Sequence, residues 1–191
     1  ASLSNERDRP SLAFPKAQAI VDVLENFGWR PSRQEPASER EASANLRQPA
    51  ILANGSVGVW VTTLSEDHAI TELATQADLK LNDLVERVFL RLLTRKPTAE
   101  ETELYADLLR DGFDGRIIPP QARRPVIRRQ PLQHVSWSNH LSEQANRIKI
   151  ELEKRAREGD PPTVALDEDW RRRMEDMLWA LVNSPEFVFL P

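Results

Sequence analysis

The sequence contains no cysteine, which removes disulfides, thiolate metal sites, c-type haem attachment and cysteine nucleophiles together. Redox compartment stays open, because a cysteine-free chain is suited to either. Glycine is scarce, six residues against fourteen prolines, so connections are stiffened rather than floppy. No apolar run reaches the roughly 18 residues a membrane span requires, and the start lacks a charged n-region followed by an apolar h-region. A Gly-rich phosphate loop, a GxSxG elbow and a kinase signature are also missing, which argues against a nucleotide enzyme or a hydrolase. The opening residues read as those of a fragment or processed product.

What is present is ordinary for a globular chain. Of 191 residues, 40% are apolar and 29% charged, with a formal net charge of -4, so bulk charge points to neither nucleic acid nor a membrane surface. The length suits one domain with a real core. Residues 1–14 form a polar lead-in, and residues 15–191 are expected to form a single helical domain interrupted by a Pro/Arg-rich arm over 114–132.

Hydrophobic spacing supplies the helices. Ala17, Ile20, Val21, Leu24 and Phe27 share one face between Pro15 and Gly28. Ser38 with Glu41 offers a capping box for a short helix, and Pro49 opens another carrying Ile51 and Leu52. "NGSVGVWVTTL" (54–64) reads as loop followed by helix, since a lone β-branched strand would have nothing to pair with. Leu81, Leu84, Val85, Val88, Leu92 and Leu93 give a wide buried face over about 80–94. Pro97 ends that helix; Thr98 and Glu101 box the next, in which Leu104, Tyr105, Leu108 and Leu109 line up before Gly112. So short a link makes the two an antiparallel hairpin. Ser142 caps a helix to about Glu158 with Ala145, Ile148, Leu152 and Ala156 on one stripe, and Asp167 caps a last one through Trp170, Met174, Met177, Leu178 and Leu181. Phe187 and Phe189 are expected to tie the terminus to the core. The fold class is therefore all-α: an irregular bundle of about six helices with an extended arm.

The arm, "DGRIIPPQARRPVIRRQPL", holds four prolines and five arginines against one aspartate. Each proline steers its predecessor away from helix, so the segment is extended and cationic. Arg116, Arg123, Arg124, Arg128 and Arg129 suit oxyanions, because a guanidinium fork matches carboxylate, phosphate and sulfate geometry. Stacking aromatics, which single-stranded nucleic acid wants, are missing from the arm. It is expected to lie across an acidic face of its own domain or of a partner domain, with a solvated loop as the alternative reading.

"HVSWSNHLSEQ" (134–144) places His134 and His140 around Trp137. On a helix, six residues separate side chains by about 600°, so only an irregular loop brings the pair together. Zinc would need a third ligand from elsewhere, and HExxH spacing is absent. One reading makes His134 and His140 a metal-assisted or catalytic pair. A second makes Trp137 and Asn139 partner contacts, and a third packs Trp137 on the core while Ser138, Asn139 and His140 bond backbone ahead of the helix. Asp167, Glu168, Asp169, Glu175 and Asp176 suit a helix dipole better than a calcium site. Trp60, Trp170 and Trp179 could form a sugar platform, but Trp170 and Trp179 sit in the amphipathic pattern and read as core. Asn54-Gly55-Ser56 matches a glycosylation acceptor and reads as a turn.

At "FGWRPSR", "QPAILANG", "LLTRKPTAEE", "SWSNHL" and "DWRRRMEDMLWALVNSPEFVFLP" the chain resembles the planctomycete PSD-one domain, domain of unknown function fifteen fifty-three, of large exported proteins in Planctomycetes and Verrucomicrobia. The resemblance runs over residues 18–191, with the closing motif its most specific part. Many members carry cysteines after the "FG.P.R" motif; here the loop reads "QEPASERE", so no thiol role transfers. Members often carry another domain of unknown function upstream, and some a cytochrome c domain. The resemblance thus implies an extracytoplasmic setting, with polysaccharide or electron-transfer biology. It supplies no catalytic residue.

Together these readings favour a non-catalytic docking module, the C-terminal part of a larger exported protein. Arg116, Arg123, Arg124, Arg128, Arg129, Trp137 and Asn139 are its candidate partner contacts. No cofactor, metal, nucleic acid or membrane span is expected; the partners are other domains of the parent protein or a separate protein. The alternative is a metal-assisted enzyme or half-site at His134 and His140 acting on a sulfated or complex glycan, the glycan being implied by the resemblance alone.

Overall fold

The structure, a computed structural model, describes residues 15–28, 46–126, 129–133, 135 and 141–188. Among them are nine α-helices: α1 (Pro15–Asn26), α2 (Arg47–Asn54), α3 (Ser56–Thr62), α4 (Ala69–Ala74), α5 (Leu81–Leu93), α6 (Ala99–Arg110), α7 (Glu143–Glu158), α8 (Glu168–Val182) and α9 (Pro185–Val188), with one 3-10 turn at Pro120–Ala122. The fold class is all-α, and the surplus over six helices lies in short pieces of four to eight residues. The chain divides into two compact units, one of 1–60 with 129–159 and one of 61–128 with 160–191.

In the first unit α1 packs against α2 and α7. Gln48 is buried in α2 and donates to the Asn26 carbonyl at 3.2 Å. α2 begins at Arg47, two residues before Pro49, which lies inside its first turn, where a missing N–H costs nothing. Ala145, Ile148 and Ala156 of α7 are buried, as the stripe predicts, and Glu151 meets Arg155 at 2.8 Å. Trp60 donates Nε1–H to the Ala156 carbonyl at 2.6 Å. Its ring runs so close to Gly159 (φ 71°) that a Cβ there would lie 2.7 Å from Cδ1, so close approach and backbone both demand glycine. The expected α1 face is only partly covered: Ile20 and Leu24 stay exposed.

The second unit holds the larger core. Leu84, Val85, Val88 and Phe89 of α5 meet Leu109 of α6 and Trp170, Met174 and Leu178 of α8, all fully buried. α5 and α6 form the expected hairpin, with the Thr98–Glu101 capping box in place and Phe89 edge-on to Tyr105 at 5.6 Å. Trp170 is core, its Nε1–H donating to the Leu109 carbonyl at 2.9 Å. Trp179, read as core, is instead exposed, and so is Leu104: each lies at the margin of its apolar stripe, where rotation of the helix decides which side meets water. α4 lacks a long apolar repeat and was not expected. His68 caps it, Nδ1 accepting from Ile70 N–H at 3.2 Å while Nε2 bonds the Val61 carbonyl at 3.1 Å. Phe187 packs against the core; Phe189 and the Ser38–Glu41 box lie outside the described residues.

Candidate functional site

Of the residues singled out in the sequence, Arg128, His134, Trp137, Asn139 and His140 lie outside the described residues. The helix entrance behind them has the expected form: Ser142 Oγ accepts from Ala145 N–H at 3.1 Å, and Gln144 donates to Gln133 at 2.8 Å. The described arginines of the arm divide by what their guanidinium groups already hold.

Arg116 does not face a partner. It is 3% exposed and donates to the carbonyls of Ala74 at 2.9 Å, Phe113 at 2.8 Å and Gln76 at 2.6 Å. The group lies 3.9 Å above the Phe113 ring and 6.0 Å from Trp170, and burial pushes its pKa below the ordinary arginine value against the pull of Asp114. It is the root of the arm, fixed by carbonyls about 40 positions earlier in the chain, so no local spacing signals it. Arg129 is likewise occupied, in the first unit, by Glu158 at 3.0 Å and the Gly159 carbonyl at 3.0 Å. That contact ties Arg129 to one carboxylate of its own unit.

Arg123 and Arg124 are different. Residues 119–126 are all exposed. Arg123 donates Nε–H to the Ile118 carbonyl at 3.0 Å, while Arg124 has only Glu168 at 4.0 Å and a side chain 87% exposed. Arg124 lines a cleft of about 440 Å³ in the second unit, walled also by Ile118, Ala122, Thr163, Leu166 and Glu168 among others.

The cleft opens where a short backbone pairing ends. Ile117 pairs antiparallel with Leu166, through Ile118 N–H to the Ala165 carbonyl at 2.8 Å and Asp167 N–H to the Arg116 carbonyl at 2.7 Å. The ladder's next bond, Ala165 N–H to the Ile118 carbonyl, is not made, that carbonyl accepting from Arg123 Nε–H instead; the bond after it would need an N–H from Pro120 on the Thr163 carbonyl, and proline has none. Thr163 N–H goes instead to the Leu64 carbonyl at 2.6 Å, and Ala165 N–H to Thr163 Oγ1 at 3.1 Å. The two segments part, the arm folds into its 3-10 turn, and the gap between them is the cleft. The arm is therefore extended only on either side of that turn.

The family described as PSD1, protein of unknown function (DUF1553), matches residues 2–109, more than half of the chain. The chain belongs to this family. No curated protein and no solved structure matches it. The PSD1 match takes in α1 to α6 and ends before the arm, the cleft and the closing motif. Within the matched span, the polar constellation that sequence reasoning missed is Arg95, which meets Glu101 at 2.8 Å and Glu186 at 2.6 Å. Hydrogen bonding from Arg95 holds Glu101 down to about 2 and lowers Glu186. These shifts come from an ion-pair network that ties the α5–α6 turn to α9, and they are structural. Among the described residues no three His, Asp or Glu side chains group as metal ligands, and no helix is long and apolar enough to cross a membrane.

Proposed function

We propose that this chain is a non-catalytic helical docking module, working outside the cytoplasm as part of a larger exported protein, and that its arm makes the contact. The observation that supports this is the asymmetry of the arm. Its root is fixed by the buried Arg116 fork, while residues 119–126 are held away from α-helix by prolines and lie exposed, with Arg123, among the described residues, bonded through Nε alone and Arg124 in contact only with Glu168 at 4.0 Å. A stiff, anchored, exposed cationic segment loses little conformational entropy on binding, which is what a docking element requires. Its partner is an acidic face of another domain of the parent protein or of a separate protein; the exported setting rests on the family resemblance.

The test is co-purification with the remaining domains of the parent protein, expressed separately. A complex that survives a sizing column at modest salt, and that Arg123→Glu with Arg124→Glu weakens, is the expected result. Clean separation of the two, or a complex indifferent to the double reversal, would overturn the reading.

A further inference from the structure

We propose that the cleft beside the arm is a groove for one extended strand of a partner protein, in which acidic and apolar side chains alternate. The inference rests on the docking reading and specifies its occupant. Three features of the second unit carry it.

The first is backbone chemistry. Because Pro120 cannot donate, the Thr163 carbonyl has no hydrogen-bond partner among the described residues, although it belongs to a segment that pairs with the arm three residues later. An incoming strand supplies the N–H that proline lacks, which is the logic of strand addition to an open edge. The second is the wall. Ile118, Ala122, Val164 and Leu166 give the groove apolar surface, and alternate side chains of a strand point the same way, so every second residue of the occupant meets it.

The third is charge. The carboxylates at the rim are already engaged: Asp167 caps Trp170 N–H at 3.0 Å, and Glu168 holds Arg172 at 2.5 Å. Arg171 is engaged as well, by Glu175 at 2.7 Å. The groups with donors to spare among the described residues are cations, namely Arg124, whose one contact there is Glu168 at 4.0 Å, and Arg123, which is bonded through Nε alone. The occupant's remaining side chains are therefore acidic. A free oxyanion answers to the arginines alone, not to the wall or the carbonyl.

The experiment uses the full chain and a fluorescein-labelled hexapeptide of alternating glutamate and valine, with a lysine–valine hexapeptide as control. Anisotropy is expected to show saturable binding of the acidic peptide. Arg124→Glu should weaken it at least about tenfold, and Ala122→Trp, which fills the groove from an exposed position, should abolish it. Amide shifts should move at Ile118, Thr163 and Leu166. No binding, equal binding of the lysine peptide, competition by inorganic phosphate alone, or shifts confined to other residues would overturn the groove. If the parent-domain complex forms and Ala122→Trp leaves it unchanged, docking stands and the groove falls. If neither forms, both fall.

Discussion

Arg116 shows how one residue type takes opposite roles within a dozen positions. A guanidinium offers five N–H donors in a planar fork, and at Arg116 that fork meets three carbonyls and an aromatic face, so the charge is buried without a carboxylate partner in hydrogen-bond contact. Arg123 and Arg124, seven and eight residues on, are exposed. Arg116→Met keeps the bulk but orphans the carbonyls of Ala74, Gln76 and Phe113. The expected cost is about 3 kcal/mol, read as a lower urea midpoint with unchanged slope. Arg116→Lys should recover only part, because one ammonium cannot span the fork. An unchanged midpoint for Arg116→Met would mean that the arm is rooted elsewhere.

Among the elements, the α5–α6 hairpin is the most sequence-local and the best defined in advance. The turn adopts a left-handed conformation at Thr94 (φ 57°), and Glu101 both boxes the α6 N-terminus and pairs with Arg95. Glu101 titrates at about 2 in the folded chain, against 4.5 ordinarily. Its folded value is depressed, so its contribution is complete above about 4.5 and is lost as pH falls toward 2. The pair is partly exposed, so solvent screening limits that contribution to about 1 kcal/mol. Glu101→Gln should therefore lower the melting temperature at pH 7, and the gap to the parent chain should close between pH 4.5 and 2. A gap independent of pH across that interval would assign the loss to the capping box alone.

For the whole molecule, the decisive contrast is between a docking module and a metal-assisted site at His134 and His140. Native mass spectrometry of the chain with zinc and with calcium separates them, since one spectrum reports metal occupancy and assembly state together. The docking reading expects no stoichiometric metal. A bound ion that disappears when both histidines become alanine would restore the enzyme reading. Periodicity and capping were enough to locate the long helices, the α5–α6 hairpin and the caps at Thr98, Ser142 and Asp167, because those features are decided by residues within one or two turns of each other. Composition likewise determined that residues 119–126 avoid α-helix. The sequence did not determine α4, which is too short to display a period, or the exposed side of Trp179, which follows from helix rotation against neighbours. It could not separate Arg116 from Arg123 and Arg124, since carbonyls about 40 residues away decide which guanidinium is buried. The cleft needed both levels. Proline at 120 fixes chemically that no bond reaches Thr163 from there, but only the tertiary structure brings Thr163 opposite it and parts the two segments already at Ile118 and Ala165.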